Sequence, residues 1–171
     1  NTAGIVGAVS NNGVGIVGIA GNTAQIYAIK FIAVDSGSVQ DVYNGIQWAI
    51  QNRLDVINVS LQSETQIALV EQGVAEAVAA GLVVTMAAGN QGLQLGSGVY
   101  VSPGAIGRDL PGAITVGSID SANGNLSVFS NYGSYVEIAA PGATDSSLDT
   151  TVGGIYSTYK NNTHYKMMGT S

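Results

Sequence analysis

Gly169-Thr170-Ser171 puts a hydroxyl directly after a glycine-threonine pair, and a serine so placed is a candidate nucleophile. The tripeptide also occurs in ordinary polar turns, so its meaning depends on what else the chain supplies. A side-chain amide is the second piece of such chemistry. Asn90 follows Ala87-Ala88-Gly89 and could direct its NH2 group at a developing oxyanion, or be a loop asparagine tolerating an unusual backbone. The third piece is a base. His164 is the single histidine, but Lys160-Asn161-Asn162-Thr163-His164 reads as a solvated loop, and no orienting acid lies near it in sequence. Asn161-Asn162-Thr163 also fits a glycosylation sequon, which matters only in a eukaryotic secretory context.

Elements must carry these groups. Ser38 is a good helix N-cap, with Asp41 in the first turn and Val42, Ile46, Ala49 and Ile50 on one apolar face. Asp55–Leu61 reads as a buried strand. A second helix presents Ile67, Val70, Val74 and Val78 on one face, and Gly81 stands where a terminating glycine belongs. Leu82–Ala87 reads as another buried strand, ending at Ala88-Gly89-Asn90. With a further strand over residues 24–34, the pattern is strand–helix–strand–helix–strand, that of a parallel α/β sheet. Residues 1–10 fit a buried helix or a strand, and Asn11-Asn12-Gly13 marks a turn. Residues 91–112 form a Gly/Pro-containing stretch too long for a plain connection. Ala113–Ile119 and Tyr135–Ala140 read as strands, and Pro141-Gly142 as the end of the last one. In open α/β sheets ligands sit beyond the carboxyl ends of the strands, here Asn58 to Ser63 and Gly89-Asn90.

Composition narrows the function classes. The 171 residues suit a single domain with a real core, and five basic residues at a net charge of −6 give no nucleic-acid footprint. No apolar run reaches bilayer-spanning length, so no membrane partner is expected, and zero cysteines exclude thiolate chemistry. Gly13-Val14-Gly15-Ile16-Val17-Gly18 matches a dinucleotide fingerprint, with Asp35 at a suitable distance. Only Ile19 to Thr23 separate Gly18 from the next expected strand, too few for the required helix, so nucleotide binding is disfavoured.

Together the motifs resemble the subtilisin-like serine proteases, the subtilases. The resemblance rests on Asp55–Leu61, Ala87-Ala88-Gly89-Asn90 and Gly169-Thr170-Ser171. Asn1–Gly7, Ala139-Ala140-Pro141-Gly142 and Ser127 to Gly133 (Ser-x-Phe-Ser-Asn-Tyr-Gly) add to it. It implies a three-layer α/β fold with a mainly parallel sheet and helices on both faces, incomplete at both ends. It implies Ser171 as nucleophile and Asn90 as oxyanion donor. By the same likeness Ser60, Leu61 and Gln62 would pair an extended polypeptide substrate, and Ala87, Ala88 and Gly89 would wall its side-chain pocket. Ser10–Ile16 resembles the family's calcium loop, in which Asn12 would offer a side-chain oxygen and Ser10, Val14 and Ile16 carbonyls. Gln62 is a departure, since the family usually has glycine there. The family's catalytic Asp and His lie N-terminal to the matched region. The implied protein is thus a secreted, monomeric endopeptidase, of which these residues alone are expected to be inactive. The alternative is a non-catalytic subtilase-like domain that binds peptides or partners.

Overall fold

A computed structural model describes residues 1–32, 37–96, 98–143 and 153–171. The elements, in order, are α1 (Thr2–Gly7), α2 (Val39–Gln51), β1 (Val56–Val59), α3 (Ala68–Ala79), β2 (Val83–Ala87) and β3 (Gln94–Leu95). A 3-10 helix (Gly104–Asp109), β4 (Ala113–Asp120), β5 (Tyr132–Gly133), β6 (Ile138–Ala143), β7 (Ile155–Tyr159) and β8 (Thr163–Met167) follow. They fall into two compact units. One comprises Asn1–Ala28, Ile119–Ser127 and Pro141–Gly169; the other comprises Ile29–Ser118, Val128–Ala140 and Thr170–Ser171.

The second unit holds the main core. Its helices start and stop where the side chains dictate. Ser38 Oγ accepts from Gln40 N at 3.1 Å and caps α2. Gly81, at φ +93°, follows the C-cap Ala80 of α3 in the left-handed conformation expected of a terminating glycine. Ile46 and Ala49 of α2, Val70, Val74 and Ala77 of α3, and Ile57, Val59, Val84 and Met86 from the sheet form one buried apolar cluster. The sheet order is β1-β2-β4-β6, with β1–β2 and β2–β4 parallel. Helices packed over parallel strands give the expected α/β class. β1 is half-buried rather than buried throughout: Ile57 and Val59 point into the core while Val56 and Asn58 are exposed.

The long stretch after β2 is anchored rather than loose. Glu71, in the first turn of α3 and 8% exposed, accepts from Tyr100 OH at 2.6 Å, Ser102 Oγ at 2.7 Å and Gln66 Nε2 at 2.8 Å. Three donors, plus the positive end of a helix, let a carboxylate lie buried without a cation. Burial and the hydrogen bond to this carboxylate push the Tyr100 hydroxyl well above its usual range.

In the first unit, residues 18–20 fold back on α1. Gly18 N donates to Ala8 O at 2.9 Å, and Ile19 N to Ile5 O at 2.8 Å. A side chain at Gly4 would strike Thr158 Oγ1 of β7, which places the small residue where helix and hairpin meet. β7 and β8 form an antiparallel hairpin, Tyr159 opposite Thr163.

Three expectations need correction. Residues 24–31 form no strand: no described strand pairs with them, and Ile26, Tyr27 and Ile29 are left exposed, so apolar content alone does not make a ladder. Residues 33–36, with Asp35 among them, lie outside the described residues. The last strand expected over Tyr135–Ala140 runs instead through Pro141 to Ala143. β6 ends the sheet order, and an edge strand tolerates a residue without an N–H. His164 is not in a loop. It lies in β8, because Asn161 and Asn162 both adopt φ +57° and turn the chain as a tight hairpin requires.

Candidate functional site

β1 and β2 are parallel neighbours with Val59 opposite Met86, so their carboxyl ends open at one sheet edge. Ser60, Leu61 and Gln62 leave the first strand there; Ala88, Gly89 and Asn90 leave the second. Thr170 and Ser171 belong to the same unit. Thr170 is the link: its backbone N lies 2.9 Å and its Oγ1 3.0 Å from Asn90 Oδ1, and Gly89 N donates to the same Oγ1 at 3.1 Å.

This arrangement fixes the amide's orientation. A backbone N–H can only donate, so the atom facing Thr170 N must be the oxygen of Asn90. Nδ2 is therefore the end left to donate elsewhere. Asn90 is exposed, and among the described residues nothing accepts from its Nδ2.

The turn carrying Asn90 is held from beneath. Gly89 has φ +103°, and a Cβ there would collide with Asn131 Nδ2 and come within 2.8 Å of Gln91 Oε1 and 2.9 Å of Gln62 Oε1. Asn131 is fully buried. Its Oδ1 accepts from Gln91 N at 3.2 Å and Leu93 N at 2.9 Å, and its Nδ2 donates to Ala88 O at 2.9 Å and Gln91 Oε1 at 2.8 Å. Asn131 N in turn donates to Gly89 O at 2.9 Å.

The other candidates are placed as follows. Ser171 is exposed, and no described base is hydrogen-bonded to it. Ser60 Oγ accepts from Asn58 Nδ2 at 2.6 Å, Leu61 packs partly against the core, and Gln62 is exposed. Ala87 and Ala88 are buried, and the Ala88 backbone is engaged on both sides, its N–H donating to Val116 O at 3.0 Å and its carbonyl accepting from Asn131 Nδ2. In the first unit, Ser10, Asn12, Val14 and Ile16 share one loop, where Asn12 Oδ1 accepts from Val14 N at 3.0 Å and Ser10 N donates to Asn22 Oδ1 at 3.1 Å. Asn12, Val14, Ile16 and His164 help line a cleft of about 380 Å³. His164 stacks on Tyr156 with ring centroids 5.5 Å apart. No group of three or more His, Asp or Glu residues that could hold a metal occurs among the described residues. No helix there is long and apolar enough to cross a membrane.

The family model described as Subtilase family matches residues 1–171. The chain belongs to the subtilase family. It is 39% identical to subtilisin DY of Bacillus licheniformis over 172 aligned residues, covering all of this chain and 57% of that protein. It is 38% identical to a subtilisin of Bacillus pumilus, covering 93% of this chain and 55% of that one. A protease from Pseudoalteromonas arctica superposes with TM-score 0.83 at 31% identity, over 98% of this chain and 52% of that one. The subtilase spans little more than half the length of these relatives. The likeness supports the three-layer α/β class with a mainly parallel sheet.

Sequence reasoning singled out Asn90 and did not anticipate the contacts that hold it. Thr170 entered only as a neighbour of the serine, and Asn131 only as part of the Ser127–Gly133 motif. The available signal was an asparagine between Phe129-Ser130 and Tyr132-Gly133, a residue type that is rarely buried unless its polar atoms have partners.

Proposed function

We propose that this subtilase supplies the nucleophile and the side-chain oxyanion donor of a serine endopeptidase. The observation that carries the reading is the pair of Thr170 contacts on Asn90 Oδ1, which leaves the NH2 end of that amide available beside the residue that precedes Ser171. Ser171 Oγ would attack the scissile carbonyl carbon while a general base takes its proton. The carbonyl electron pair moves onto oxygen, where Asn90 Nδ2 and a backbone N–H near Ser171 donate. Collapse expels the amine, protonated by the base, and leaves an acyl ester on Ser171; water then repeats the sequence and frees the acid.

In this proposal the His base and its orienting Asp come from residues beyond these 171, so the chain by itself is inert. The substrate is an extended polypeptide lying along Ser60, Leu61 and Gln62, with Ala87, Ala88 and Gly89 as one wall of its side-chain pocket. Secretion and a monomeric state belong to the same reading. Calcium enters only as a structural ion. Ser10, Val14 and Ile16 would offer carbonyls and Asn12 its Oδ1, but these four neutral oxygens fall short of the roughly six to eight that Ca2+ takes. The rest of the shell would come from other residues, and no catalytic step depends on it. Added calcium that left the thermal midpoint of the full-length protein unchanged would remove the ion from the proposal.

The test is peptide hydrolysis by the full-length protein carrying this chain, with and without Ser171→Ala. The expected loss in kcat is on the order of 10⁶-fold, a size carried over from subtilisin. Hydrolysis unaffected by Ser171→Ala contradicts the assignment. Robust hydrolysis by the 171 residues alone, abolished by the same substitution, contradicts their inertness. A full-length protein that binds peptides without cleaving them is the non-catalytic alternative.

A further inference from the structure

Asn90 is gripped at two points, and only one of them is its side chain. Its backbone N–H lies past the end of β2, which closes at Ala87, and donates to Gln62 Oε1 at 2.9 Å. Gln62 comes from the segment after β1, so its side chain crosses from the end of one strand to the end of the next. The same Oε1 lies 2.9 Å from where a Cβ would stand on Gly89. It therefore sits where a side chain on residue 89 would project. An exposed glutamine loses rotamer freedom when held this way, and nothing in core packing requires it. The contact restrains the peptide plane of Asn90, whose rotation would swing the amide carried on its Cα.

We infer that Gln62 is a positioning residue: by accepting the Asn90 N–H it holds the main chain so that Asn90 Nδ2 keeps its aim. Thr170 fixes the rotation of the amide group, and Gln62 fixes the backbone from which that group projects. The inference rests on Asn90 as the oxyanion donor, and its test separates the two claims.

Gln62→Met keeps the length of the side chain and removes the acceptor oxygen. In the full-length protein it should lower kcat about 3- to 10-fold, the range of one net hydrogen bond, with a smaller change in KM, because an extended substrate pairs with the backbone of residue 62 and the substitution leaves that backbone in place. In an Asn90→Ala background the same substitution should change kcat by less than about twofold, because the group it positions is gone. A Gln62→Met loss that persists in full in that background, or that falls on KM alone, overturns the inference. An Asn90→Ala variant with undiminished kcat sinks the oxyanion reading instead, and Gln62 is then judged by exchange of the Asn90 amide hydrogen. Exchange should be at least about tenfold faster in Gln62→Met, and unchanged exchange overturns the inference whatever the activity.

Discussion

The side chains of Val70, Val74, Val84 and Met86 are at most 1% exposed and pack in one apolar cluster of helix and strand residues, whereas just past the end of β2 the chain is held by polar side chains. There the hydrogen bonds of Asn131, Thr170, Gln62 and Gln91 converge on the Gly89-Asn90 turn. Packing is non-directional and sets how closely elements approach. A hydrogen bond weakens steeply with angle, so it sets which way a group points. The core thus sets where the strand ends lie, and the polar network fixes which end of the Asn90 amide faces Thr170.

This contrast can be broken from either side. Asn131→Ala should cost the most, about 4 kcal/mol in urea unfolding, because Gln91 N, Leu93 N and Ala88 O lose a partner at once. Met86→Ala, on the apolar side, should cost about 3 kcal/mol through lost transfer energy and a cavity. The ranking sharpens at the strand ends: Asn131→Ala should also alter Asn90 amide exchange, while Met86→Ala should not. If the two variants disturb Asn90 equally, orientation is not the network's task.

The smallest effect is a pH dependence at the rim between α2 and α3. Glu76 accepts from Gln72 Nε2 at 2.7 Å, Tyr43 OH at 3.0 Å and Gln47 Nε2 at 2.5 Å. The hydrogen bonds from Gln72 and Tyr43 hold its carboxyl below the usual value of 4.5, against the opposing effect of burial. A lowered folded-state pKa means the unfolded chain binds the proton first. The contribution is therefore complete above about pH 4.5 and lost as pH falls through the folded pKa. Urea midpoints measured from about pH 7 down to about 3 should fall less steeply for Glu76→Gln than for the wild type. Parallel curves would assign Glu76 no part in acid unfolding.

How much of this was legible in sequence follows the same contrast. α2 and α3 could be read because Ser38, Gly81 and the apolar spacing act within a few residues of one another. The edge strands were harder. The hairpin of β7 and β8 carries exposed Tyr156, Tyr159, Tyr165 and Met167, so hydrophobicity marks no buried face, and the double-asparagine turn was the cue. Residues 24–31 misled in the opposite sense, being apolar without a described partner strand. At the site, Asn90 could be named from Ala87-Ala88-Gly89-Asn90. Its supports at Gln62, Asn131 and Thr170 lie dozens of residues away in sequence, where no local pattern reaches.

The central claim is that Asn90 is aimed to stabilise charge that develops only in the transition state. Steady-state hydrolysis of one peptide substrate by full-length wild type and Asn90→Ala tests it most directly. The account predicts a fall in kcat of about 10²–10³-fold, the size of the corresponding loss in subtilisin, with KM nearly unchanged. A raised KM at unchanged kcat, or no loss at all, would contradict it.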